Sequence, residues 1–141
     1  MQYQDRRIGR NFILHEPNST TILGFYTLAS AEVPRKSLVE KHGRRLPGHP
    51  VPCVRLCRLA VDSRFRGLRY GEFLLRDAML RCLRLSAELG VHAILVDALD
   101  AQAADFYRKY GFLPTNDDPL LLYLPIDTIA KSMSDDAEPS A

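Results

Sequence analysis

The most constraining feature of the sequence is a strand, a glycine-containing turn, a helix and a second strand, which follow one another between residues 54 and 99. VRLCRLAVD (54–62) is apolar enough for a central strand, and VHAILVDAL (91–99) is a β-branched run typical of a buried strand. Between them, apolar residues recur at helical spacing from about Gly71 to Leu89, and Gly90 stands where a helix would end. This arrangement predicts two parallel strands joined by a helical crossover.

Strand-like segments on both sides of this unit predict a mixed α/β (α+β) sheet with a parallel pair near its centre. The first two strands, separated by a Pro-Asn-Ser turn, predict an antiparallel hairpin. The predicted order is β-β-(α)-β-α-β-α-β. The segments outside 54–99 are strands NFILHEP (11–17) and TILGFYTLASAEV (21–33), a short helix from about Lys36 to His42, a loop LPGHPVP (46–52), a helix AQAADFYRKY (101–110) with Asp100 as N-cap, and a strand LLLYLPI (120–126).

A chain of 141 residues with 46% hydrophobic residues predicts one domain with a substantial core. We predict that the domain covers residues 1–130 and that the polar tail 131–141 is disordered. No apolar run could span a bilayer, and the N-terminus lacks the pattern of a secretory signal, so we expect a cytoplasmic protein. The three cysteines predict neither a disulfide framework nor a metal site, because no histidine or further cysteine stands at metal-ligand spacing.

The net charge of +2 conceals two halves of opposite sign. Residues 1–84 carry 16 Lys and Arg against 7 Asp and Glu, whereas residues 85–141 carry 3 against 10. Ordinary mixing of charges on a folded surface accounts for this pattern. So does a polyanionic partner, either a phosphorylated cofactor or a nucleic acid, that meets the basic half.

The turn RFRGLRYG (64–71) combines arginines and glycines at the start of the predicted helix. The first N–H groups of a helix have no partners within the helix, and the helix dipole favours an anion there. Gly67 and Gly71 would let a phosphate approach the backbone closely. The stretch has neither a Walker-type ending nor a complete dinucleotide fingerprint. Taken alone, it is either a phosphate-binding loop or only a turn that begins a helix.

RLAVDSRFRGLRYGEFLL (58–75), followed by VDALDAQAADFYRKYGF (96–112), resembles the GNAT acetyltransferase superfamily. The resemblance covers about residues 11–127 and implies the GNAT fold, a mixed sheet whose parallel pair splays apart at an acetyl-CoA site. Family members usually have a strand and helices before the part that matches NFILHEP, so we expect a fold that lacks the first strand and helices. The family's pyrophosphate loop falls on Arg66, Gly67, Leu68, Arg69, Tyr70 and Gly71, with Arg69 where the family usually has glycine.

Within that superfamily the chain is most similar to the toxin branch, through GFYTLAS, RLPGHPVPCVRLCRLAVD, LLRDAMLRC, LVDALD, AADFYRKYGF and LYLPI. This resemblance implies an enzyme that acetylates the amino group of aminoacyl-tRNA and is neutralised by a ribbon-helix-helix antitoxin, and it allows for a homodimer. The basic residues that suit an RNA backbone are Arg35, Lys36, Arg44 and Arg45.

The resemblance also assigns roles in the reaction, which is direct attack of a substrate amine on the acetyl thioester. The backbone of Leu59, Ala60 and Val61 would pair with the pantetheine arm, and Phe106 would contact the cofactor. Tyr107 would protonate the departing thiolate as general acid, although aromatic residues at that helical spacing also commonly pack in a core. No metal and no cysteine nucleophile are implied, and water could take the proton of the amine.

Two other functions remain open at this point. The first is a GNAT enzyme that acts on a small amine or a protein lysine, which would have no affinity for tRNA. The second is a shortened, weakly active protein that binds an acyl-CoA or a partner protein.

Overall fold

The computed structural model describes residues 9–38 and 49–137, with side chains as far as residue 132. It contains one mixed six-stranded sheet and three α-helices in these ranges. The elements are β1 (Arg10–His15), β2 (Ile22–Val33), β3 (Val51–Val61), α1 (Tyr70–Ser86), β4 (Ala93–Asp97), α2 (Ala101–Arg108), β5 (Leu113–Pro114), β6 (Leu121–Pro125) and α3 (Ile126–Ala137).

The strands are arranged in the order β1-β2-β3-β4-β6-β5. β1 and β2 form the antiparallel hairpin expected from the sequence, and β2 continues the antiparallel pairing to β3. β3 and β4 are parallel, and α1 is the crossover between them. The predicted mixed sheet with a parallel pair near its centre is therefore confirmed.

The parallel pair is short and then opens. β3 and β4 are paired only from Cys53 to Leu56 and from Ala93 to Val96. β3 runs on to Val61, and along this extension its neighbour among the described strands is β2 alone. A bulge at Cys57 begins the extension, because the register against β2 jumps from Leu56 to Arg58 at that point. The two strands thus splay apart beyond Leu56 and leave one backbone edge of β3 accessible.

The helices cover one face of the sheet, which we call the helical face. The apolar side of α1 packs there through Leu74, Leu75, Ala78, Met79 and Cys82, all buried, as the helical spacing in the sequence predicts. Side chains of β3 on this face are Val54, Leu56, Leu59 and Val61. A smaller cluster lies on the other face, which we call the second face, and it includes Val51, Cys53, Ala93, Leu95 and Tyr123.

Two predicted boundaries differ from the structure. α1 ends at Ser86 with Ala87 as C-cap, so Gly90 is not the cap and Leu89, 57% exposed, lies beyond the helix. β3 begins at Val51, inside the segment predicted as a loop. Pro52 is tolerated there because it lies at the start of the strand, before the parallel pairing with β4 begins at Cys53, and the fully buried Val51 and Cys53 on either side hold the strand in the sheet.

The C-terminal boundary also differs. α3 continues to Ala137, across the boundary set at Lys131, because Ile126 and Ile129 anchor its first turns in the core against α1. Where the short helix from Lys36 to His42 was predicted, the structure has a 3₁₀ turn at Arg35–Ser37. The rest of that predicted helix, with Arg44 and Arg45, lies outside the described residues.

Gly24 allows β2, β3 and α1 to approach one another closely. A Cβ atom at this position would lie 2.6 Å from the carbonyl oxygen of Ala60 and 2.8 Å from Cδ1 of Leu74. We expect Gly24→Ala to lower the free energy of unfolding by about 1–3 kcal/mol, the usual cost of overpacking. Chemical denaturation would measure this, with Gly90→Ala as control because a Cβ there has no neighbour within 4 Å. Equal stability of the two variants would contradict the close approach.

Candidate active site

The opening between β3 and β4 leads into a cleft of about 790 Å³ on the helical face. The end of β3, the connection that follows it, the first turn of α1 and one side of α2 form its walls. Every residue predicted to bind the cofactor lines it except Leu68, whose side chain is 57% exposed. Those lining residues are Leu59, Ala60, Val61, Arg66, Gly67, Arg69, Tyr70, Gly71 and Phe106.

The connection between β3 and α1 is held by local backbone geometry. The carboxylate of Asp62 accepts hydrogen bonds from the backbone N–H and the guanidinium of Arg64, which fixes a 3₁₀ turn at Ser63–Phe65. Gly67 then takes a φ of +84°, a value that favours glycine. No side chain caps the N-terminus of α1 among the described residues. The first N–H groups of α1 are therefore available to an anion in the cleft.

Arg69 is the N-cap of α1 and adopts the left-handed conformation, with φ 65° and ψ 21°. This conformation explains why the family that the sequence resembles usually has glycine at this position of the loop, since other residues are about 1–2 kcal/mol less stable in it. Arg69 therefore adopts the backbone conformation that suits glycine and adds a positive charge. The side chain is 85% exposed and approaches Glu72 at 3.9 Å.

We expect Arg69→Gly to raise the free energy of unfolding by about 1 kcal/mol, because glycine relieves the left-handed strain by more than it adds to the entropy of the unfolded chain. Arg66→Gly is the matched control. Arg66 has an ordinary φ of −67°, so glycine there offers no relief and should not stabilise. Thermal or chemical denaturation distinguishes the two variants, and a destabilised Arg69→Gly would contradict the expectation.

The charged residues of the cleft are mostly basic. Arg66, Arg69 and Lys109 line it together with one acidic residue, Glu72. Burial, with the charge and hydrogen bond of Glu72, raises the pKa of the Tyr110 phenol on the opposite wall. Glu72 is thus engaged by its neighbours, and the cleft presents a net positive charge to a ligand.

Tyr107 does not line the cleft, although its neighbour Phe106 does. Its side chain is 8% exposed, and its ring contacts Phe106 and Phe112 edge-on at centroid distances of 5.3 Å and 5.4 Å. Burial raises the pKa of the Tyr107 phenol above the ordinary value, so the group is protonated at neutral pH. Its hydroxyl has no hydrogen-bond partner within the described ranges, and the proton is therefore not committed to another side chain.

Of the residues expected to contact RNA, the two that the structure describes, Arg35 and Lys36, are not part of the cleft. Arg35 and Lys36 follow β2 at the end of the sheet where β3 begins, whereas the cleft lies where β3 ends. The length of β3 places about 30 Å of strand between the two.

Sequence reasoning missed several cleft residues on α2 and in the turn that follows it. Gln102, Lys109 and Tyr110 line the cleft beside Phe106, and Phe65 and Glu72 complete the opposite wall. Gln102, Phe106 and Lys109 follow one another at intervals of four and three residues, so they share a face of α2. This periodicity is the signal that could have added Gln102 and Lys109 to the prediction once Phe106 was assigned.

The cysteines are poor nucleophiles in this structure. Burial raises the pKa of Cys53 and of Cys82 to about 12, and it also raises that of Cys57. Within residues 9–38 and 49–132, no three His, Cys, Asp or Glu side chains come together in a way that could hold a metal ion. None of the helices in the described ranges has the length and apolar character needed to cross a membrane.

Comparison with known proteins defines the class. The acetyltransferase (GNAT) domain family matches residues 21–114. The structure of AtaT complexed with acetyl-methionyl-tRNAfMet is similar to this one with a TM-score of 0.86 and 27% identity, over 94% of this chain and 79% of that chain. The chain therefore belongs to the GNAT acetyltransferase family. The splayed parallel pair and the loop at the start of α1 both lie within the matched residues.

Two relatives narrow the class further. A protein of Sinorhizobium fredii named "Probable toxin TacT" is 32% identical over 132 residues, which cover 88% of this chain and 73% of that protein. The "tRNA-acetylating toxin" of Mycobacterium tuberculosis is 42% identical over 103 residues, which cover 73% of this chain and 61% of that protein. Within the GNAT family, the chain is accordingly of the toxin type.

Proposed function

We propose that this protein is an acetyl-CoA-dependent N-acetyltransferase that acetylates the amino group of aminoacyl-tRNA and so blocks translation. The observation that carries the proposal is the opening between β3 and β4 and its continuation into a basic cleft at the N-terminus of α1. The relatives support the acceptor and the donor, since one is named for acetylating tRNA and AtaTR has been solved bound with AcCoA.

The residues of the cleft fit the coenzyme A part of acetyl-CoA. The pantetheine arm would pair with the accessible backbone edge of β3 from Cys57 to Val61, as an added strand does. The pyrophosphate would meet Arg66 and the uncapped N–H groups at the start of α1. Space for it exists at Gly67, where a Cβ atom would have no neighbour within 4 Å.

The proposed reaction is direct transfer between two bound substrates. The amine nitrogen forms a bond to the thioester carbonyl carbon, the carbon–sulfur bond breaks, and its electron pair leaves on sulfur. Tyr107 donates its phenolic proton to that thiolate. The proton lost by the amine passes to water, and water returns a proton to Tyr107. A backbone N–H in Leu59–Val61 polarises the carbonyl during attack.

The chemistry of Tyr107 supports its role as the acid. Burial raises its pKa, so the phenol stays neutral at the pH of the cell and does not place a charge next to the departing sulfur. Phe106, its neighbour in α2, lines the cleft, and the Tyr107 ring contacts the Phe106 ring edge-on, so Tyr107 adjoins the wall of the cleft. The cysteines take no part, since burial keeps their thiols protonated.

We also propose a ribbon-helix-helix antitoxin as partner, a homodimer as the assembly, the cytoplasm as the compartment and a single acetyltransferase domain that includes α3. AtaT has been solved bound to the C-terminus of the antitoxin AtaR, and KacTA with DNA. Arg35, Lys36, Arg44 and Arg45 are proposed contacts for parts of the RNA outside the cleft.

An acceptor panel tests the proposal against its alternatives. The purified protein would be incubated with acetyl-CoA and, separately, charged tRNA, uncharged tRNA, a polyamine and a lysine peptide. Mass spectrometry after nuclease digestion would identify acetylated aminoacyl-adenosine. We expect it with charged tRNA and no acetylation of the other acceptors. Acetylation of the polyamine or the peptide alone would show that the acceptor is a small amine or a protein lysine. A folded protein that acetylates none of the acceptors would overturn the enzymatic function.

A further inference from the structure

The second face of the sheet is exposed where β3 and β4 separate. The last parallel pair is Leu56 with Val96, and beyond it the side chains of Arg58 and Ala60 on β3 and of Asp97 on β4 are exposed. Leu59 and Val61, by contrast, point to the helical face and line the cleft. The opening between the strands is therefore accessible from both faces, with the cleft on one and two charged strand ends on the other.

An ion pair crosses the opening on the second face. Arg55 of β3 is in register with Leu95, and its guanidinium lies 2.7 Å from the carboxylate of Asp97, the first residue of β4 beyond the parallel pairing. The two side chains are 38% and 55% exposed. Each satisfies the other's charge, so neither provides an uncompensated charge at the mouth of the opening.

Arg58 is different. It follows the bulge at Cys57, is exposed, and has no acidic side chain within ion-pair distance in the described part of the chain. Its neighbours across the sheet on this face are neutral, because it is in register with Thr27, whose buried hydroxyl donates to Asn11 at 2.6 Å. The guanidinium of Arg58 is thus an uncompensated cation about two residues from the point where the strands separate.

The direction of approach gives this cation a role. If the pantetheine arm lies along β3 with its phosphates in the cleft on the helical face, an amine can reach the thioester carbonyl only from the second face. An amino group attached to RNA arrives with phosphates close by, because the aminoacyl ester is carried on the terminal nucleotide. A free cation beside the opening contacts such a phosphate and has no counterpart to bind in a small neutral acceptor.

We propose that Arg58 binds a phosphate near the aminoacylated end of the RNA acceptor and so determines the preference for an RNA-linked amine over a free one. The Arg55–Asp97 ion pair lies beside it and carries no net charge. This inference rests on the proposed function, because it requires the β3–β4 opening to be the transfer site. It adds a specificity-determining residue on a face of the sheet that the cleft does not include.

The test compares two acceptors with and without Arg58. Arg58→Ala and Arg58→Lys would be assayed on charged tRNA and on the methyl ester of the same amino acid, which carries no phosphate. Arg84→Ala, which removes an exposed arginine in the last turn of α1, is the matched control. Calorimetry with acetyl-CoA would check that the donor site is intact in each variant.

We expect Arg58→Ala to lower kcat/KM for charged tRNA by about tenfold or more, mainly by raising KM. The slope of log KM against log salt concentration should also fall by the amount that corresponds to about one lost phosphate contact. Arg58→Lys should retain most of that salt dependence. Transfer to the methyl ester and acetyl-CoA binding should be unchanged. Arg84→Ala should resemble the wild type on both acceptors.

Two outcomes would overturn the inference alone: equal activity of Arg58→Ala and Arg84→Ala on charged tRNA, or an equal loss on both acceptors. A wild-type protein that acetylates the methyl ester and not charged tRNA would instead overturn the proposed function, and this inference with it. The wild-type measurement on charged tRNA therefore separates the two failures.

Discussion

Replacing Tyr107 with phenylalanine is expected to lower kcat for acetyl transfer by about 100-fold or more, the usual contribution of a positioned general acid. The hydroxyl is the only group removed, and the ring keeps its contacts with Phe106 and Phe112. The hydroxyl makes no hydrogen bond to another described residue, so its loss leaves no buried partner unsatisfied. The free energy of unfolding and the Kd for acetyl-CoA should therefore stay close to those of the wild type.

Tyr110→Phe is the control, because Tyr110 lies in the turn directly after the same helix. Tyr110 lines the cleft and hydrogen-bonds to Glu72, so its hydroxyl is engaged before any substrate binds. Its removal should change kcat by a few-fold at most. Steady-state kinetics on both variants would decide the assignment. A Tyr107→Phe enzyme as fast as Tyr110→Phe would show that the acid is a water molecule or another group, and that Tyr107 is a core residue only.

The pH dependence follows from the direction of the Tyr107 pKa. Burial raises it above the ordinary value of about 10, so the acid remains protonated throughout the neutral and mildly alkaline range. Activity should rise as the α-amino group of the acceptor loses its proton, near pH 8, and then level off. A fall in kcat between pH 8 and pH 9.5 in a stable enzyme would contradict a buried tyrosine as the acid.

Gly71→Glu is expected to raise the Kd for acetyl-CoA by about 100-fold or more, because like charges brought together cost several kcal/mol. A Cβ atom on Gly71 would point toward the cleft, 3.8 Å from Cγ2 of Val61 and 3.9 Å from Cζ of Phe106. A glutamate there would place its carboxylate where the pyrophosphate is proposed to lie. Folding should be retained, since a glutamate in the first turn of a helix is favoured by the helix dipole.

The Gly71→Ala variant distinguishes the effect of the added charge on acetyl-CoA binding from the effect of side-chain size. Its methyl group would make only ordinary van der Waals contacts with Val61 and Phe106, so we expect binding within a few-fold of the wild type. Calorimetry with acetyl-CoA on the three proteins makes the comparison. Undiminished binding by a folded Gly71→Glu variant would place the coenzyme elsewhere and remove the basis for assigning this loop to phosphate.

Much of the fold could be predicted because its parts are local. The spacing of Leu75, Ala78, Met79 and Cys82 predicted α1, and all four side chains are buried on one face of the helix. The predicted ends of helices and strands were wrong where tertiary packing outweighed the local preference of single residues. Gly90 favoured a later helix end, but α1 stops once its side chains no longer meet the sheet, and Leu89 is left in solvent. Pro52 indicated a loop, but burial of its two neighbours keeps it in β3.

The cleft could be anticipated only through the family resemblance, which brought together the end of β3, the glycine turn and α2. From the residues alone, the turn is also explained as an ordinary helix start, since nothing local shows that the strands beside it splay. The second face was beyond prediction. The placement of Arg58 depends on the bulge at Cys57, and the pairing of Arg55 with Asp97 depends on the register between two strands 42 residues apart in sequence. Neither is encoded in a local pattern.

The most direct test of the central claim is a count of the products of one reaction. Wild-type protein would be incubated with acetyl-CoA and charged tRNA, and free thiol and acetylated α-amino groups would be quantified in the same sample. The account predicts one thiol released for each acetyl group transferred to the α-amino nitrogen, and neither product with uncharged tRNA. Thiol release without acetylated aminoacyl-tRNA, or no release by a folded protein that binds acetyl-CoA, would contradict it.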